Sequence, residues 1–189
     1  MGSETILSIF LGIGLAASVG FRVFLPLFAL SLASYFGLWE LNPSWQWIGS
    51  LAAVMTLGIA TFLEVFAYFI PWLDNVLDTI AVPLAAIAGT AVMVSTVANL
   101  DPVVTWSLAI IAGGGTATAI KGAGATSRLA STASTGGLAN PVLATIETGT
   151  ATVVTVASIF APILAAVLVI IILFLIFRIY RSLRPRPKT

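Results

Sequence analysis

The sequence predicts an all-α integral membrane fold of about five transmembrane segments, some of them broken or re-entrant. Three observations predict it. Hydrophobic residues make up 59% of the chain and charged residues 8%, whereas soluble domains carry about 25% charge. Apolar runs recur at or above the ~20 residues a helix needs to cross a bilayer. Prolines and glycines interrupt those runs, which lipid tolerates only where neighbouring helices or a polar cavity satisfy the freed backbone. The length fits one transmembrane domain, residues 1–177, and a basic tail, residues 178–189. The chain has no Cys and no His, which removes disulfides, thiolate chemistry and the commonest general base and metal ligand. No catalytic residue, metal or cofactor is assigned, and nothing points to nucleic acid.

The elements follow in order. Met1 to Thr5 lacks the basic start of a signal peptide, so the first apolar run is read as part of the mature chain. That run, Ile6 to Phe36, exceeds one crossing and is expected to kink or break between Gly20 and Pro26. Arg22 lies inside it. It is either an anchor whose stem reaches an interface or an inward-facing functional cation, and its distance from both ends favours the second. Leu38 to Trp47 reads as a loop, with Asn42-Pro43 turn chemistry and Trp39, Trp45 and Trp47 at the membrane–water boundary.

Ile48 to Ile70 is the second span, with Glu64 and Tyr68 on one face. Asp74 and Asp78, also four apart, open the third span, Val76 to Ala98. They are solvated carboxylates at a helix N-terminus, a cation or proton site, or counter-charges to Arg22. Val103 to Ile120 is the fourth segment. A final helical stretch from Pro141 holds Glu147 and a kink at Pro162. Five of the eight cations lie in the last twelve residues, and the positive-inside rule places that tail in the cytoplasm.

Gly113 to Asn140, GGGTATAIKGAGATSRLASTASTGGLAN, is almost entirely Gly, Ala, Ser and Thr, with Lys121 and Arg128. Such a stretch suits close helix packing or unwound backbone around a polar cavity. A re-entrant course would also keep its cations out of an external loop. GLAASVGFR (Gly14 to Arg22) and GGGTATAIK (Gly113 to Lys121) align at an offset of 99. Three crossings between them would invert the second copy. Inverted repeats over residues 6–70 and 103–177 are therefore expected, with a site at the broken helices.

GIGLAASVGFRVFLPL, NPSWQWIGS, EVFAYFIPWLDNVLDTIAVP, LAIIAGGGTA and STASTGGLANPVLATIE together resemble the bacterial membrane family known as domain-of-unknown-function family 4126. The resemblance covers about Leu7 to Glu147 and implies a small multi-span inner-membrane protein. It supplies no reaction.

The expected function is a transporter or channel for a small anion or a phosphate-bearing, lipid-phosphate included, substrate. Arg22, Lys121, Arg128, Thr126 and Ser127 would bind it. Glu64, Asp74, Asp78 and Glu147 would couple ions or balance charge. A homodimer in the bilayer is the expected assembly. The alternatives are a structural or assembly protein with a small-residue packing face, and a membrane-embedded enzyme using carboxylates.

Overall fold

The structure, a computed structural model, describes residues 2–68, 70–98 and 100–183, with the side chains of 71–76, 78, 79, 182 and 183 outside that set. Its elements are α1 (Ser3–Phe21), α2 (Phe24–Tyr35), a 3-10 helix (Pro43–Gly49), α3 (Leu51–Ala67), α4 (Pro71–Thr96), α5 (Pro102–Leu108), a π-helical segment (Ala109–Gly114), α6 (Gly115–Thr135), α7 (Asn140–Phe160) and α8 (Pro162–Leu183). Among the described residues, four helices are long and apolar enough to cross a membrane. A fifth span results if the 3-10 helix and α3, bent by 64°, count as one. The chain is an all-α, multi-pass membrane protein.

α1 is the axis of the bundle. Leu15, Ala16, Ala17, Ser18 and Val19 are fully buried, so every face is covered, and α4, α6, α7 and α8 pack around it. Small residues make this possible. A Cβ on Gly12 would fall 2.5 Å from the Met93 sulfur, and one on Gly20 would fall 2.6 Å from Ile120 Cβ. Close helix approach of this kind substitutes for the hydrophobic drive that is missing in lipid.

The break after α1 falls at Arg22, in extended backbone with φ −135° and ψ 123°. The cause lies four residues on: the Pro26 ring would collide with the residue-22 carbonyl of a continuous helix. The result is a reversal rather than a kink. α2 turns back and runs antiparallel to α3, with Gly49 against Ser34, Gly58 against Phe28 and Glu64 against Val23. The loop that follows α2 returns to the starting end of α1. There the Asn42 amide donates to Ser95 O at 2.8 Å, Trp39 Nε1 to Ile159 O at 3.0 Å, and the Ala98 amide to Ser8 Oγ at 3.2 Å.

That reversal corrects the repeat reading. Ile9 and Ile13 share a cluster with Ala109, while Gly20 faces Ala117 and Ile120. α1 and α6 therefore run in the same direction, and the two aligned stretches are not inverted. Ile6 to Phe36 turns back at Arg22, which changes the parity on which the inversion rested.

The Gly-rich stretch is likewise not unwound. After the π-helical segment it continues as one α-helix to Thr135, capped by Gly136 at φ 63°. Its first part does the close packing: a Cβ on Gly113 would fall 2.6 Å from Gly89 O. Pro162 also marks a reversal and not a kink. Gly14 faces Ser158 and Ala165, and Ala17 clusters with Val154 and Val169, so α7 and α8 are antiparallel neighbours.

Candidate functional site

The break between α1 and α2 leaves backbone groups without helical partners in a membrane, where each costs several kcal/mol unless satisfied. Side chains from two other helices satisfy them. Glu64 on α3 accepts from the Val23 amide at 2.6 Å and the Phe24 amide at 2.9 Å. Lys121 on α6 donates through Nζ to the Phe21 carbonyl at 2.9 Å. A carboxylate thus meets the positive end of α2 and an ammonium the negative end of α1, the arrangement helix dipoles favour.

The Arg22 side chain leaves the break and crosses to α7. Nε donates to Thr148 Oγ1 at 2.8 Å and Nη2 to Ala144 O at 2.7 Å. Glu147 Oε2 lies 3.9 Å away. Glu147 is also held by Arg128, through Nε to Oε1 at 3.4 Å and through Nη2 to Oε2. Gly124 makes room for this carboxylate, since a Cβ there would lie 2.9 Å from Oε1. Tyr68 stands among the cations, its ring centroid 4.0 Å from the Arg22 guanidinium carbon, 4.5 Å from that of Arg128 and 5.8 Å from Lys121 Nζ. Cation–π contacts of this kind strengthen when desolvated.

The cluster is dry. Arg22 is 0% exposed, and Lys121 and Arg128 are each 3% exposed. One guanidinium nitrogen, Arg22 Nη1, is buried without a hydrogen-bond partner. Five hydrogens on a guanidinium form a fork suited to carboxylate or phosphate, and this prong is unused. At 1.5 Å per residue, Arg22 sits about 20 Å along α1 from Ser8. The same rise puts Arg178, where α8 turns polar, about 24 Å from Pro162. Phe21 shares a cluster with Ile172, Leu173 and Ile176, so the charges lie toward the end of the bundle at which α8 finishes.

Of the residues expected from sequence, Arg22, Lys121, Arg128, Glu64 and Glu147 come together. Thr126 and Ser127 do not. Both are exposed, and their hydroxyls bond back to Gly122 O at 2.8 Å and Ala123 O at 3.0 Å of their own helix. Asp74 and Asp78 lie on α4, with side chains outside the described residues. Tyr68 and Thr148 escaped assignment as site residues. Glu64 and Tyr68 sharing a face was the signal for the first; nothing in the sequence marks the second. No group of three or more His, Cys, Asp or Glu suited to a metal occurs among the described residues.

A multi-pass helical membrane protein with a buried, cation-rich cluster at a helix break is the class that this fold and site define. Residues 9–182 match the model of a domain of unknown function, DUF4126, and the chain belongs to that family. No curated protein and no solved structure gives a significant match.

Proposed function

We propose that this protein is a transporter or channel for a small anion or phosphate-bearing substrate, with the substrate held at the α1–α2 break. The observation that carries the reading is the Arg22 Nη1 donor, buried and unpartnered beside two further cations. A buried polar atom without a partner costs about 1–3 kcal/mol. A donor of this kind at a charged centre supports a ligand position there. On this reading Glu64 and Glu147 balance the resting charge, and the cell membrane of a bacterium is the setting, with the tail of α8 facing the cytoplasm.

A second reading has its own support. Lys121 and Glu64 cap both ends of the break, which a rigid assembly protein would also need. Flux separates the two. Purified protein in phosphatidylcholine vesicles should take up radiolabelled inorganic phosphate, and Arg22→Gln should abolish the uptake while leaving the melting profile near that of wild type. Phosphate impermeability of the wild type, together with loss of oligomers in the variant, would leave the assembly reading in place.

A further inference from the structure

An apolar groove of about 510 Å³ lies between α3 and α4. Its α3 wall runs from Ala60 to Tyr68 and its α4 wall from Leu84 to Leu77. Leu63, Phe66 and Ile80 on its flanks are more than half exposed, so the groove opens on the outer, apolar surface of the bundle. α3 packs chiefly on α2, and among the described side chains none fills the gap to α4. At bilayer depth the medium that fills such a gap is hydrocarbon.

The groove also has a suitable length and ends level with the charge cluster. Ala60 to Tyr68 spans about 12 Å at the helical rise, close to half of the ~30 Å hydrocarbon core. Its inner end is at Ala60 and Leu84. Its outer end is at Tyr68, level with the charge cluster. Tyr68 is the wall the two share: one side faces the groove, and the ring lies 4.0 Å and 4.5 Å from the Arg22 and Arg128 guanidinium carbons. Glu64 is the one carboxylate in that lining among the described side chains. Its oxygens are turned to the α2 amides, where the helix N-terminus offsets its charge.

We propose that this groove seats an acyl chain of an anionic phospholipid from the leaflet on the α8-terminal side, with the headgroup phosphate directed to Arg22. The inference rests on the anion-binding reading of Arg22 above and names the substrate class. Apolar length, headgroup depth and cationic end follow the anatomy of one lipid molecule. Rotation of the Tyr68 side chain is the movement that joins the groove to Nη1.

Native mass spectrometry of the full chain tests it. Detergent micelles are doped with dioleoyl phosphatidic acid or with dioleoyl phosphatidylcholine at equal mole fraction. The expected result is at least tenfold greater retention of the phosphatidic acid. Arg22→Gln should bring that retention down to the phosphatidylcholine level. Ala60→Phe, remote from the charges and checked for an unchanged melting profile, should lower it by filling the apolar end. Equal retention of the two lipids overturns the proposal, as does phosphatidic acid retention indifferent to Ala60→Phe, or binding of inorganic phosphate with no lipid retained. Selective lipid retention without phosphate flux in vesicles would sink the transport reading and leave the lipid site standing. Flux without lipid selectivity would do the reverse.

Discussion

The ammonium of Lys121 lies 2.9 Å from the carbonyl oxygen of Phe21, the last residue of α1. These two residues sit one hundred positions apart, and the bond joins the break in the first helix to the middle of the glycine-rich one. Lys121→Met keeps the stem and removes the donor. A hydrogen bond to a charged group is worth about 1.5–3 kcal/mol. The variant should unfold earlier by that amount in SDS titration of helicity. An unchanged midpoint would mean the bond contributes nothing to holding the break.

Glu64 binds two amides with two oxygens. Glu64→Gln keeps the shape but turns an NH₂ toward one of them, leaving a donor facing a donor. The expected cost is about 1–3 kcal/mol. Faster amide hydrogen exchange in the segment around Val23 and Phe24, with α1 still protected, is the local signature. Exchange that rises evenly along the chain would point to general loosening instead.

Much of this was legible in the sequence, and the rest was not for definite reasons. Composition and run length gave the environment, and five charged residues in apolar segments gave the cluster, because a buried charge in lipid must find company. Pro26 announced a break, but not its angle. Whether a chain kinks or reverses is decided by what it packs against, here α3, and that is a tertiary fact. Thr126 and Ser127 illustrate the limit of adjacency. They flank Arg128 in sequence, yet a helix turns about 100° per residue, so neighbours face apart. Tyr68 shows the converse, since its i,i+4 relation to Glu64 was visible and only its role was missing.

Glu147 is the carboxylate between two guanidiniums, paired to Arg128 and 3.9 Å from Arg22. Glu147→Gln leaves both buried cations without their shared carboxylate. Removing one partner of a buried ion pair costs about 3–5 kcal/mol. The loss should shrink when Arg128→Met is added, since the second change removes one of the stranded charges. A double-mutant cycle in SDS titration reads the coupling, and strict additivity of the two changes would argue against a shared site.

Glycines in α1 and α6 should divide by sign. A Cβ on Gly20 meets Ile120 Cβ at 2.6 Å and the Ala117 carbonyl at 2.9 Å, whereas one on Gly122 meets nothing within 4 Å. Gly20→Ala therefore overpacks the central crossing and should destabilise by about 1–3 kcal/mol. Gly122→Ala removes a flexible residue from a helix interior and should stabilise by about 0.5–1 kcal/mol. Opposite shifts of the unfolding midpoint are the check, and shifts of one sign would contradict the packing described for α6.

The course of α6 itself can be read with thiols, because the chain contains no cysteine and each introduced one reports alone. Ala117 and Ile120 are buried against α1, whereas Ser127 and Ser134 are exposed. Lys121 is level with the α1 break, and Ser134 lies about 20 Å further along the helix. Added to the depth of Arg22, that carries the end of α6 beyond the ~30 Å hydrocarbon core. A membrane-impermeant maleimide applied from the α8-terminal side should label Ser134→Cys and spare Ala117→Cys and Ile120→Cys. Labelling that stops short of Ser134 would return the glycine-rich helix to the bilayer, and with it the reading of residues 122–135 as a segment that dips back.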